Sequence, residues 1–245
     1  MLQQTQAPRI VPAYRAFLVR FPDVRALAGA RRDDVLRAWD GLGYNRRALA
    51  LSGAARAIVR DHAGAVPADP ATLRSLPGVG PYTAAAVASI AFGAAVAAVD
   101  TNVRRIVSRV ADGTDDASPA RARELADAWL DRREPGAWNQ ALMDLGREVC
   151  RPRPRCDLCP LRPWCRFVAI GAAPSSVRPR QDRFEGSMRQ ARGAVVRTLR
   201  ERRSGTVAEL AGATGLDRER VAEAVRRMTA EGLLETRGGR ARLAR

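Results

Sequence analysis

A chain of 245 residues in which 46% are hydrophobic can bury the core of one large domain or two smaller ones, which excludes a chain left unfolded for want of apolar side chains. Its formal net charge is +16, and all 42 basic residues are Arg. A codon bias toward Arg accounts for the choice over Lys but not for the net excess, and an excess of that size and sign points to a polyanion, with nucleic acid foremost.

The opening residues carry no basic segment followed by an apolar run, so a signal peptide is not expected and the cytoplasm, at the nucleoid, is the expected location. From residue 7 to residue 131 apolar side chains recur three and four apart, in IVPAYRAFLVRF, in DDVLRAWDGL and in RRALALSGAARAIV, and no alternating strand pattern interrupts them. This part is expected to be all-α. Residues 81–99 carry no charge and approach the length of a membrane span. They are rich in Ala, broken by Gly93 and followed at once by Asp100, Arg104 and Arg105, so a buried helix of a soluble domain is expected, with no membrane partner.

Residues 169–187 are rich in Pro, Ser, Gly and charge and mark a linker. Beyond them RQARGAVVRTLRER reads as a helix, and TVAELAGATGLDRERVAEAVRRMTAEG as helix, Gly-containing turn and helix. LLETRGGRARLA reads as a hairpin closed by Gly238 and Gly239. That order is a winged helix-turn-helix. The expected domains are therefore 1–168, then the linker, then 188–245.

Three local patterns carry chemistry. In LPGVGPYTA, Gly78 and Gly80 flank Val79 in a tight turn and Pro81 opens the next helix, so main-chain amides and a helix N-terminus converge where a phosphate can sit. Alone, such a segment is also an ordinary helix–helix turn. Asp100 follows 20 residues after Gly80 at the start of another helix. It is either a simple helix cap or a carboxylate that faces a sugar and stabilises an oxocarbenium ion. Cys150, Cys156, Cys159 and Cys165 are separated by five, two and five residues. Four thiolates so close suit a 4Fe-4S cluster, with a four-Cys zinc site as the alternative and disulfides behind both. The RPRPR between the first two is a stiff basic protrusion suited to a phosphate backbone.

Taken together, the hairpin, the Asp that follows it and the four-Cys set resemble the helix-hairpin-helix DNA glycosylases over residues 1–168. MLQQTQ at the start, GLGY ending at Tyr44, and WNQALMDLG from Trp138 are similar to the MutY-type adenine glycosylases rather than to the endonuclease III branch. The resemblance implies a two-lobed helical fold bearing a 4Fe-4S cluster, with the winged-helix-like domain appended. It implies excision of adenine mispaired with 8-oxoguanine or guanine in double-stranded DNA by a monomer. By that likeness Asp100 is the catalytic carboxylate and Asn102 holds it, and Leu2, Tyr82 and Gln140 line the adenine pocket. Gln4 and Tyr44 wedge into the duplex with Thr5 nearby. In the strand-cleaving branch a Schiff-base Lys occupies the position of Tyr82, so the chain is expected to excise without that chemistry.

The sequence departs from the family in three places. The family's proton-donating Glu lies just upstream of MLQQTQ, so the reading frame is expected to begin earlier, and activity of the 245-residue chain is in question. A winged helix stands where many members carry a Nudix-like lesion sensor. The first Cys spacing is one residue shorter than usual. The competing functions are a pyrimidine-specific glycosylase of the same superfamily and a non-catalytic DNA-binding protein.

Overall fold

In the computed structural model of the protein, the described residues are 1, 7–174 and 183–245, with side chains from residue 10 in the first helix. They form two compact units, one of Met1–Val66 with Arg180–Arg245 and the other of Pro67–Pro179.

The first unit begins with α1 (Ala7–Arg20), α2 (Val24–Gly29), α3 (Arg32–Ala38) and α4 (Arg46–Asp61). The three-and-four spacing turns Ile10, Phe17 and Phe21 inward while Val19 stays exposed. Asp23 caps α2 by accepting from the Ala26 amide at 2.7 Å, and α2 packs along α4, whose Ala48 and Ala55 permit close approach. Trp39 is fully buried after α3, set edge-on to Phe17 with ring centroids 6.0 Å apart.

The second unit continues with α5 (Pro70–Ser75), α6 (Pro81–Phe92), α7 (Thr101–Val107), α8 (Pro119–Trp129), α9 (Pro135–Glu148) and α10 (Arg166–Ala169). The uncharged stretch does not make one long helix. Gly93 takes φ 70° and ends α6, and among the described residues no helix is long and apolar enough to cross a membrane. After α7 the helix widens into one π-helical turn, Ser108–Asp112, which the sequence pattern did not announce. The core here is Val103 and Val107 of α7 against Ala122, Leu125 and Ala126 of α8, with Trp138 and Leu142 of α9 packed on it.

The C-terminal residues return to the first unit as α11 (Met188–Arg202), β1 (Ser204–Thr206), α12 (Val207–Thr214), α13 (Arg218–Ala230), β2 (Leu234–Arg237) and β3 (Arg240–Leu243). The strands form an antiparallel sheet in the order β1-β3-β2, the winged-helix arrangement. The expected helices, the turn at Gly215 (φ 67°) and the hairpin are present. β1 was not anticipated, because three residues carry no alternation, and its partner β3 lies far along the chain. Thr206 and Glu209 close a reciprocal capping box at the start of α12.

Composition places boundaries at 168 and 188, whereas packing groups the chain otherwise. Phe17, Leu36 and Trp39 belong to one core with Val195, Leu199, Leu210, Val225, Met228 and Leu243, so 188–245 shares its interior with α1–α4. An apolar helix face announces that it will be covered, not by what. Of the expected linker, residues 175–182 lie outside the described residues.

Candidate active site and cysteine pocket

The hairpin between α5 and α6 is built from the main chain. Leu76 is buried and its carbonyl accepts from the Val79 amide at 3.1 Å, closing the turn, and Gly78 takes φ 77°, a region closed to most side chains. Gly80 is different: its φ is an ordinary −86°, and a Cβ added there meets nothing within 4 Å. Nothing among the described residues requires glycine at 80, so what its bare Cα favours is close approach from outside. Pro77, Gly78 and Gly80 are exposed, and among the described residues no side chain caps α6. The Val79 amide is spent on the Leu76 carbonyl within the turn.

Asp100 is half-buried and is indeed the N-cap of α7, and the cap fixes its orientation. Oδ1 accepts from the amides of Asn102 (2.8 Å) and Val103 (2.7 Å), and Oδ2 accepts from Asn102 Nδ2 at 2.9 Å. Asn102 is held in turn: Arg105 Nη2 donates to its Oδ1 at 2.8 Å and to the Gly146 carbonyl at 2.8 Å, while Arg105 Nε donates to the Cys150 carbonyl at 2.7 Å. A chain of charge-assisted hydrogen bonds therefore runs from Asp100 to the first cysteine. Gly146 makes room for it, since a Cβ there would come within 2.6 Å of Asn102 Cβ.

The backbone leading to Asp100 is also held. Asn139 of α9 is fully buried; its Oδ1 accepts from the Ala98 amide at 2.7 Å. Its Nδ2 faces Ser89 Oγ (2.9 Å), the Val96 carbonyl (3.0 Å) and the Pro135 carbonyl (2.9 Å). One side chain thus ties α6, the segment before Asp100, and α9. Tyr82 is half-buried in the first turn of α6, its hydroxyl donating to Met143 Sδ at 3.3 Å. Burial and, after it, the negative charge of Asp100 push its phenol above the ordinary value, so it stays a neutral donor. Gln140 is exposed on α9 one turn before Met143, on the face that Tyr82 meets. Hence Tyr82, Asp100 and Asn102 come together in the second unit, and Gln140 lies one turn from the Met143 that Tyr82 meets. Tyr44 stands in the first unit, 54% exposed at φ 44°. Leu2, Gln4 and Thr5 lie outside the described residues.

The four cysteines are free thiols that line one pocket with Arg109, Ile106, Leu145 and Phe167. Arg109 is buried on the π-helical turn, paired with Asp115, 3.6 Å from Cys150 Sγ and 4.8 Å above the Phe167 ring. It also donates to the carbonyls of Arg151 (2.7 Å) and Pro152 (3.0 Å), anchoring the RPRPR loop, on which Arg151, Arg153 and Arg155 are exposed. Burial pushes the Cys156 and Cys159 thiols up, and the neighbouring sulfurs add to it. Four sulfurs crowded in a mostly apolar pocket ionise together only around a shared cationic group. No three of the described His, Cys, Asp and Glu side chains are grouped as around a single metal ion. What points to a shared inorganic group is the common pocket, the donor chemistry and the buried guanidinium beside it.

Asn139, Arg105, Arg109 and Gly146 were not singled out from sequence. The available signal was a polar residue at an inward position: Asn139 on the apolar face of α9, and Arg105 and Arg109 beside Val103, Ile106 and Val107.

A glycine hairpin, a fixed carboxylate on the next helix and a four-thiol loop define a helix-hairpin-helix protein of base-excision type. Residues 1–132 match the HhH-GPD superfamily of base excision DNA repair proteins. The chain is 47% identical over 206 residues to the adenine DNA glycosylase of Mycobacterium tuberculosis (strain ATCC 25618 / H37Rv), spanning 82% of this chain and 67% of that protein. It is 43% identical over 172 residues to the adenine DNA glycosylase of Homo sapiens, spanning 68% of this chain and 32% of that one. Among solved structures, a thermostable thymine-DNA glycosylase is similar with a TM-score of 0.63 at 29% identity, covering 69% of this chain and 80% of its own. An endonuclease III–DNA complex shares the fold, with a TM-score of 0.61 at 24% identity over 69% of this chain and 79% of its own. The chain belongs to the HhH-GPD superfamily of base excision DNA repair proteins.

Proposed function

We propose that the protein is an adenine DNA glycosylase that hydrolyses the N-glycosidic bond of adenine mispaired with 8-oxoguanine or guanine in double-stranded DNA. The observation that carries this reading is the Asp100 carboxylate, fixed by Asn102 and two main-chain amides at a helix start and set near Tyr82. The adenine DNA glycosylases that the chain resembles support the choice of base.

In this reaction the bond between the sugar C1′ and adenine N9 breaks, and its electron pair leaves with the base. Asp100 stabilises the positive charge left on the sugar, a proton neutralises the departing adenine, and a water adds its oxygen to C1′ and gives up a proton that restores the donor. The resemblance assigns that proton to a Glu just upstream of the MLQQTQ segment. Tyr82 and the Gln140 side of α9 take the flipped base, and the resemblance adds Leu2, which lies outside the described residues. Gln4, Thr5 and Tyr44 fill the gap in the duplex, and the exposed Gly78–Gly80 turn with the α6 N-terminus receives a phosphate. Tyr82 at the hairpin position and the lack of Lys among the 245 residues support excision without a Lys-derived Schiff base and its strand cleavage.

The four cysteines fit a 4Fe-4S cluster, which Cys150, Cys156, Cys159 and Cys165 would hold, with Arg109 balancing charge from behind Cys150. When bound, such a cluster supplies a cationic core that fixes the loop of exposed Arg151, Arg153 and Arg155. Protein purified without oxygen is expected to be brown with about four irons per chain. Cys159→Ser should lower the iron content, whereas stoichiometric zinc in the parent would refute the cluster.

The decisive assay is single-turnover adenine release from a duplex carrying A opposite 8-oxoguanine. It is run on the 245-residue chain and on the chain with a Glu-bearing segment joined ahead of Met1. Release by the extended chain, with no strand break before alkali and none from A·T pairs, is the expected result. Duplex binding without release from either chain would instead favour a non-catalytic DNA-binding protein.

A further inference from the structure

We propose that Arg200 is a positioning residue: from the C-terminal winged helix it clamps both ends of the loop that carries Tyr44. The part of the proposal concerning DNA rests on the reading above that Tyr44 enters the duplex.

The loop is held against its own preferences. Between α3 and α4 the chain takes positive φ at Gly41 (71°), Gly43 (66°) and Tyr44 (44°), and a side chain other than glycine rarely adopts that region. Tyr44 nevertheless projects a half-exposed ring from it. Strain of this kind persists only where the surroundings over-determine the backbone. Local restraints come from the loop's own neighbourhood: Leu42 is buried, Trp39 Nε1 donates to the Gly43 carbonyl at 3.0 Å, the Gly41 amide donates to Asp40 Oδ1 at 2.9 Å, and the Tyr44 carbonyl accepts from the Arg47 amide at 2.8 Å.

A further restraint, from far along the chain, comes from the last turn of α11. The Arg200 side chain is 13% exposed; Nη1 pairs with Asp40, and Nη2 donates to the Leu36 carbonyl at 2.8 Å and to Asn45 Oδ1 at 3.3 Å. Arg37 reaches back to the Arg200 carbonyl. Asp40 precedes the first left-handed residue and Asn45 follows the last, so one planar guanidinium spans the mouth of the loop.

If α11 needed only to dock, an apolar side chain would serve, and Arg200 instead leaves its Nε–H buried with no acceptor among the described residues. What the guanidinium adds is two fixed points on the Tyr44 loop. The winged helix is then a splint for the aromatic that meets DNA, whatever else it binds.

The test uses the full chain with Arg200→Met, and with Asn45→Ala as a variant that leaves the α11 packing intact. Asn45 makes no side-chain cap to α4, so its truncation chiefly removes the Arg200 contact. Hydrogen exchange of the amides of residues 41–45 is expected to rise about tenfold in both variants, with α13 amides within about twofold of the parent. Unchanged loop exchange in Asn45→Ala and in a folded Arg200→Met would overturn the clamp. Affinity for a duplex with A opposite 8-oxoguanine is then measured in a double-mutant cycle with Tyr44→Ala. Arg200→Met should weaken binding about tenfold in the parent and less than about twofold once Tyr44 is gone. An equal loss in both backgrounds would mean that Arg200 does not act through Tyr44. Faster loop exchange with no effect of Tyr44→Ala on binding would refute the DNA role of Tyr44 and leave the clamp standing.

Discussion

Asp100→Asn in a chain able to excise adenine should lower the single-turnover rate by a thousandfold or more, on the order of 4 kcal/mol of barrier, while duplex affinity stays within a few-fold. The substitution keeps the shape and Oδ1 can still cap α7, so the fold should be undisturbed. The full negative charge that opposes the developing sugar cation is lost. With its one oxygen capping α7, the amide at 100 presents its NH2 to Asn102 Nδ2, which sets two donors against each other and loosens the hold on residue 102. Measuring rate and affinity on the same preparation separates the two functions of this residue. A variant that excises at the parental rate would reduce Asp100 to a helix cap.

Asn139→Leu should be the costliest single substitution for stability. The side chain is fully buried and faces four polar partners, and the substitution leaves the Ala98 amide without its 2.7 Å acceptor and the Val96 carbonyl without its donor. Each buried orphan costs about 1–3 kcal/mol, so a loss of about 3 kcal/mol or more is expected in denaturant unfolding. Because residues 96–98 lead directly into Asp100, excision should fall further than the unfolded fraction accounts for. Parental stability in Asn139→Leu would show that the four contacts are not maintained in solution.

How far the site was legible depended on where each residue's partners lie. The hairpin turn, the capping carboxylate and the cysteine set are written in residues that touch near neighbours, so spacing offered them as candidates and the family resemblance gave them roles. Asn139 meets Ala98 41 positions away, Arg105 meets Gly146 at the same separation, and neither contact leaves a local trace. Gly146 reads as a weak spot in a helix until Asn102 is found against it. Composition also divided the chain at its Pro- and Ser-rich segment, because a linker announces itself by what it lacks. The apolar faces of α11 and α13 say only that they are covered, and the cover proved to include α1–α4.

That shared interior sets an order of events during synthesis. Residues 67–179 are contiguous and can condense as they leave the ribosome, whereas residues 1–66 emerge first yet lack half of their core until α11–α13 and the strands arrive. At common elongation rates of about 5–20 residues per second, Phe17, Leu36 and Trp39 wait on the order of ten seconds or more for their partners. The nascent chain therefore completes its middle before its beginning, and a ribosome stalled past the cysteine loop holds a protein whose first helices are still exposed to chaperones and proteases.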